Sequence, residues 1–429
     1  FERVSPLIKA LVLFIITYVL LLVLPRHRAY VALGSAALFV VLGILPAGKV
    51  FTSVDWNVIM MIAGTMGVVS LFIDSKMPSL LADMILDKMP NVKWAIISLS
   101  LFAGIISAFV DNVATVLMIA PVAVNISKKL KISPVSSIIA ISIASNLQGA
   151  ATLVGDTTSI LLGGYAGMDF LDFFAYKGKP GLFWVVQLGA VVSTFVLLYV
   201  FRKDNHRIDV KEKTAVEDYF PTVLLIGTIV LLILASFIPE EMKPAITNGL
   251  ICVGLMVIGL VREIVRSRNL NALKKTLMEI DYFTLLLLSG LFIVIGGITE
   301  AGVVDEISKI FVKISGNNVF LMYTLLVWAS VLFSAFIDNI PYIATMLPVT
   351  AGIAGIMGVD PTVLYFGLLA GATLGGNLTP IGASANITGL GILRKEGYEV
   401  KSSDFMKISV PFTLSAVATG YILIWLLWS

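Results

Sequence analysis

The phrase Ser-Ala-Phe-x-Asp-Asn occurs twice in this chain, at Ser107–Asn112 and at Ser334–Asn339, each time within sequence apolar enough to lie in a bilayer. The copies are 227 residues apart, and the offset continues downstream without a gap. It maps Pro121 onto Pro348, Pro134 onto Pro361, Gly149 onto Gly376, Thr152 onto Thr379 and Gly155 onto Gly382. A carboxylate at mid-membrane costs roughly 2.5–3.5 kcal/mol or more and marks a functional site by default. Two of them in equivalent halves point to a transporter built from internal repeats.

Composition fixes the class. Hydrophobic residues make up 58% of the 429 and charged residues 13%, against about 25% charge in soluble domains. The longest polar stretch, Arg202–Tyr219, is too short to bury a core of its own. Lys and Arg concentrate in loops, so the net charge of +3 carries no nucleic-acid signal. Cys252 is the lone cysteine, which excludes a disulfide framework or a cysteine metal site. There is no nucleotide-binding loop, so no direct use of ATP is expected, and no cofactor beyond a coupling ion. The chain opens at Phe1 rather than Met, so further residues upstream are expected, and Leu7–Leu24 reads as a true span rather than a signal peptide.

Apolar runs predict spans at about 7–24, 30–47, 55–73, 134–165, 182–201, 221–238, 245–261, 282–299, 361–391 and 408–428. Two more, 94–128 and 319–356, carry the Asp-Asn phrase near the middle. Each could cross twice or turn back as a re-entrant hairpin, and irregular backbone is tolerated at membrane depth only where it lines a cavity. With hairpins, 22 of the 30 Lys and Arg fall on one side of the membrane, which the positive-inside rule makes cytoplasmic. The expected fold is therefore an all-α polytopic membrane protein of two inverted repeats, each of five transmembrane helices plus one re-entrant hairpin. The first repeat is 1–202, with its hairpin at 94–128 and a broken helix at 134–165. A cytoplasmic linker follows at 203–220, then the second repeat at 221–429, with its hairpin at 319–356 and broken helix at 361–391. Both termini of the chain would lie outside. Pro78–Met89 and Val303–Lys313 read as amphipathic helices along the membrane surface.

The long spans after the hairpins are interrupted by small and polar residues at Ser145–Ser159 and Gly371–Asn386, where Gly and, in the second, Pro oppose a continuous helix. An unwound middle makes sense if its carbonyls and helix ends face a ligand. Two hairpin tips and two broken helices would then meet in one site. Asp111 and Asp338 supply charge, Asn112, Asn339, Asn377 and Asn386 amide oxygens, and Thr152, Thr157, Ser159, Thr379 and Ser384 hydroxyls. Such oxygen ligands suit a hard cation, with sodium placed at Asp111, Asn112, Asp338 and Asn339; a proton is the other candidate. Asp156 has Ala383 as its partner in the second half, an asymmetry that singles it out as a proton- or substrate-binding group. Simpler roles compete with these. Asp111 and Asp338 could only cap the helices that follow, as Asp55 and Asp281 are read to do, and Asn377 and Asn386 could only satisfy backbone. His27 and His206 fall in loops, and no Lys or Arg is expected in the core.

These phrases, with Gly375-Gly-Asn-Leu-Thr-Pro-Ile-Gly-Ala-Ser-Ala-Asn, resemble the ion transporter superfamily, in the branch of arsenite permeases, D-type sodium/proton antiporters and the pink-eyed-dilution (P) protein. The likeness covers nearly the whole chain. It implies inverted repeats with discontinuous helices, an elevator-type mechanism and a homodimer in the lipid bilayer of a prokaryotic inner membrane, and for arsenite-type members it leaves room for a separate ATPase subunit. Two departures matter. Dicarboxylate members carry Ser where this chain has Asp111 and Asp338, and P-type members read Gly-Asp-Pro-Pro-Asn where it has Gly155-Asp-Thr-Thr-Ser. The expected function is secondary active transport of a small inorganic ion, coupled to sodium or protons, as sodium/proton exchange or arsenite efflux. A sodium-coupled citrate or dicarboxylate symporter and a passive anion channel are the alternatives. An enzyme is not expected: intramembrane aspartyl proteases place one Asp in Gly-x-Gly-Asp, and here Asp156 follows Leu153-Val154-Gly155.

Overall fold

A computed structural model describes residues 5–207, 214–216, 218–268 and 271–429. The chain opens with α1 (Pro6–Val23), α2 (Arg28–Val41), the short α3 (Val50–Ser53), α4 (Trp56–Asp74) and α5 (Met77–Leu86). A helical hairpin follows, α6 (Val92–Ser107) and α7 (Asn112–Leu130), then a helix broken into α8 (Val135–Gly149) and α9 (Thr157–Ala166). The strand pair β1 (Ala175–Tyr176) and β2 (Lys179–Pro180) forms a small turn before α10 (Leu182–Val200). Among the described residues, the structure departs from the all-α expectation at this strand pair alone. The second half repeats the order with α11 (Phe220–Ala235), α12 (Thr247–Ser267), α13 (Asn271–Glu279), α14 (Tyr282–Glu300) and α15 (Val303–Ser315). Its hairpin is α16 (Val319–Ser334) and α17 (Asn339–Met357), its broken helix α18 (Thr362–Gly375) and α19 (Ser384–Lys395), and α20 (Ser402–Trp428) closes the chain.

The offset read from sequence is also structural: α6 and α16 start and end 227 residues apart, and so do α7 and α17. Among the described residues, eight helices are long and apolar enough to cross a membrane, or nine if the bent pair α15 and α16 counts as one span. The chain is an integral membrane protein. Its outward surface agrees, since Val12, Ile15, Val19 and Leu22 of α1 are exposed, a pattern that suits lipid rather than water. The angle of 115° between α15 and α16 turns the amphipathic α15 across the direction of its hairpin. The expected linker 203–220 lies partly outside the described residues. At its end Asp218 pairs with Arg262 and Arg266, and the Arg262 hydrogen bond holds its carboxyl below the usual carboxylate range.

The broken helices occupy the centre, where every residue of α18 is buried. Their unwound segments cross the hairpin tips at backbone contact, and two glycines permit it. A Cβ on Gly155 would lie 2.7 Å from the Ser107 carbonyl oxygen and 2.8 Å from that of Ala108. A Cβ on Gly382 would lie 2.9 and 2.8 Å from those of Ser334 and Ala335. Next to each glycine a threonine hydroxyl ties the same crossing: Thr152 donates to the Ala108 carbonyl, Thr379 to that of Ala335. The two glycines are packing requirements. Gly155→Ala and Gly382→Ala should each lower stability by about 1–3 kcal/mol, read as unfolding temperature in detergent. Gly34→Ala, inside α2 with nothing within 4 Å, should not lower stability and should raise it by up to about 1 kcal/mol.

Candidate functional site

Each Asp-Asn phrase sits at a helix start because a carboxylate accepts from the free backbone N–H groups there. Asp111 Oδ1 accepts from Val113 N at 3.0 Å and Ala114 N at 3.2 Å, capping α7. Asp338 Oδ1 accepts from Ile340 N at 3.1 Å, capping α17. The position equivalent to Ala114 is Pro341, which has no N–H to give. The second carboxylate thus has one backbone donor where the first has two. Its Oδ2 instead accepts from the Arg28 guanidinium at 2.8 Å, and both side chains are less than a fifth exposed. Arg28 corrects the expectation of a core without Lys or Arg. Breaking so enclosed a pair by removing one partner typically costs about 3–5 kcal/mol.

The hairpin tips open onto a cavity of about 350 Å³. Asp111, Asn112, Asp156, Thr157, Asn339 and Ser384 line it, with Glu279 from the end of α13, Asp281 from just before α14 and Ser70 from α4. It holds four carboxylates and no Lys, Arg or His. The Ser70 hydroxyl donates to Glu279. Asp281 does cap α14, accepting from Thr284 N at 3.0 Å, as Asp55 caps α4. Among the described residues no three His, Cys, Asp or Glu converge closely enough to hold a metal ion by themselves. A cation held here would draw on amide, hydroxyl and backbone oxygens as well.

Asp156 stands just before α9 in extended backbone at φ −145° and ψ 150°, and Ala383 takes nearly the same conformation, φ −136° and ψ 143°. The break therefore forms without a carboxylate. Asp156 Oδ2 accepts from the Thr158 hydroxyl at 2.9 Å, and that hydroxyl lies 2.9 Å from the Thr373 hydroxyl. The two halves are bonded across the centre, where Asn146 Nδ2 donates to the Thr373 carbonyl at 2.9 Å.

Six of the residues singled out from sequence thus share the cavity, and six do not line it. Asp338 faces Arg28, while Thr152 and Thr379 donate to backbone. Asn377 Nδ2 donates to the Ile143 carbonyl at 2.9 Å, and Asn386 Nδ2 to those of Gly376 and Thr379 at 3.2 Å. The Oδ1 atoms of both asparagines and Oγ of Ser159 are buried without a hydrogen-bond donor, oxygens with capacity left for a cation. Sequence reasoning missed Arg28 and Glu279, and it gave Asp281 a capping role only. The one available signal for Glu279 and Asp281 was two acids within three residues at the start of a span.

A second cavity of about 680 Å³ is lined by Lys49, Asp55, Gly164, Glu300, Ala344 and Pro348 among others. It meets α17 at Ala344 and does not include Asp338 or Asn339. The acidic cavity has Asp281 and Glu279, both exposed, on its wall, whereas Asp156 is buried.

The model of the family described as citrate transporter (CitMHS) matches residues 12–371. The chain belongs to the citrate transporter family. An uncharacterized transporter of Mycobacterium tuberculosis is 31% identical to it over 98% of both chains. The P protein of Sus scrofa is 26% identical over 94% of this chain and 57% of its own. Among solved structures, the YdaH transporter of Alcanivorax borkumensis has a TM-score of 0.60 at 14% identity, covering 88% of this chain and 86% of its own. MtrF of Neisseria gonorrhoeae has a TM-score of 0.54 at 15% identity, over 88% of this chain and 82% of its own. This member of the citrate transporter family is a transporter of the ion transporter superfamily, and the P-protein resemblance read from its phrases holds.

Because Ala383 reproduces the backbone of Asp156, Asp156→Ala should change stability by less than about 1 kcal/mol yet abolish transport. Unfolding temperature and flux measured on one preparation check this; loss of both together would make Asp156 structural.

Proposed function

We propose that this protein is a secondary active transporter of a small inorganic cation, coupled to sodium or protons. One observation carries the reading: the cavity reached by both hairpin tips is lined by Asp111, Asp156, Glu279 and Asp281 and by no basic side chain. A bare anion would meet only like charge there, whereas a cation meets carboxylates and the amide oxygens of Asn112 and Asn339. Asp111 is the principal ion-binding group, because capping occupies its Oδ1 alone, and Asp156 is the second.

The reading extends to architecture. The two halves are inverted repeats, 1–202 and 221–429, about a linker at 203–220. Support comes from the 16-residue arms α6 and α16, which reach about 24 Å and so stop short of a ~30 Å hydrocarbon core. Asn146 bonding its own counterpart Thr373 also fits two copies facing each other across a local two-fold axis. With one cavity reaching the tips and the other stopping at Ala344, the conformation suits alternating access, by an elevator movement in a homodimer of a bacterial plasma membrane. The Asp281 end is the cytoplasmic one by its loop charges.

The second reading is citrate transport, favoured by the description of the family model. Citrate would enter this cavity only accompanied by cations that neutralise the carboxylates. Solid-supported-membrane currents on proteoliposomes, with sodium, pH and citrate varied independently, separate the two. A sodium- or pH-driven current without citrate supports ion exchange, and a current that needs citrate establishes the second reading. Under either, Asp111→Asn keeps a capping oxygen but loses the charge. It should cut the current by roughly ten- to a hundredfold, the loss of a charge-assisted contact worth about 1.5–3 kcal/mol. An undiminished current in Asp111→Asn would sink both.

A further inference from the structure

The two hairpin tips have the same backbone and the same capping carboxylate, yet their charges are answered differently. Asp111 has no ion-pair partner among the described residues, lines the cavity, and caps its helix with Oδ1 alone. Asp338 has both oxygens occupied, Oδ1 by Ile340 N and Oδ2 by Arg28. The guanidinium is held from behind, since Arg28 Nε donates to the Leu21 carbonyl at 3.2 Å across the turn between α1 and α2. The neighbouring Tyr18 of α1 steadies the same tip by donating to the Pro341 carbonyl at 2.7 Å. The difference is written into two positions: Pro341 withdraws a backbone donor from Asp338, and Arg28 supplies a cation in its place.

We propose that Arg28 is a tethered internal cation filling the second of two equivalent cation positions, so that it sets the number of mobile cations the protein binds. It is a positioning residue that touches no cargo. A fixed fork of N–H donors suits this role, because a guanidinium keeps its charge and aims it at one carboxylate oxygen. What the freed carboxylate would bind follows from the cation-coupled reading above, on which the inference rests. Other ionisable groups packed on this hairpin are Tyr18 of α1, on the Pro341 carbonyl, and Tyr342 of α17, whose hydroxyl lies 3.0 Å from that of Ser330, while the carboxylates Asp111 and Asp156 line the cavity with Asn339. The charged helix α15 meets α17 further along, where Ser308 bonds the Val349 carbonyl. Arg28 is therefore the one cation at this tip among the described residues.

The test measures unfolding temperature of the whole chain in detergent at one fixed pH, titrating sodium, lithium and potassium chloride against choline chloride. Arg28→Gln should gain a cation-dependent rise of about 2 °C or more over the wild type, and Arg28→Gln with Asp338→Asn should lose that gain. Arg28→Lys, which retains a charge, should respond as the wild type does. If Arg28→Gln responds to all three cations as the wild type does, the proposal is overturned. Should Arg28→Gln not fold, Asp338→Asn decides: it should lower the unfolding temperature in choline while keeping the wild-type cation response. Loss of that response would place a mobile cation on Asp338 and overturn the proposal. Asp111→Asn separates the two readings, since a wild-type response unaffected by it removes the cation role of Asp111 without touching the comparison between Arg28→Gln and the double variant.

Discussion

A carboxylate enclosed in a lipid-facing protein has to have its charge answered, and the answers given to Asp111, Asp156 and Asp338 organise this structure. Helix starts provide the first answer, because their backbone N–H groups are free and oriented toward the cap. That requires the chain to stop and restart a helix within the membrane, which the hairpin turns and the breaks at Gly155 and Gly382 accomplish. The breaks in turn require backbone to cross backbone, and only glycine fits there. Caps, breaks and crossings are one linked arrangement rather than separate features.

The arrangement is duplicated in geometry but not in chemistry. Matching helices, matching threonine ties and matching glycine crossings give both halves one frame. On that frame Asp156 opposes Ala383 with almost the same dihedral angles, and Ala114 opposes Pro341. Such differences cost the frame little, so function is free to use them. One tip faces a cavity with its carboxylate open, and the other is sealed by an ion pair.

Family membership narrows the chemistry less than the cavity does. The family's description names citrate, while the lining residues present negative charge to whatever enters. The two agree only if citrate arrives with cations, and the cation is the common element of both readings.

Much of this was legible from sequence for a physical reason: spans, hairpin tips and breaks are local events. A run of about 20 apolar residues, an Asp-Asn inside one, and a Gly or Pro that cannot continue a helix each act on their own neighbourhood. So α1, α4, both hairpins and both broken helices fall close to where residue patterns put them, and Asp111, Asn112, Asp156, Thr157, Asn339 and Ser384 were identifiable as a group. Long-range pairing was not legible. Arg28 looks like a loop charge until the fold carries it 310 positions along the chain to Asp338, and nothing in the residue pattern says that the hydroxyls of Thr152 and Thr379 and the amide N–H groups of Asn377 and Asn386 meet backbone carbonyls. Sequence determined which groups are placed in the membrane, since hydropathy and helix breaking depend on adjacent residues. Only the tertiary structure decided which of those charges is already neutralised, because that depends on which distant side chain comes within a few ångströms.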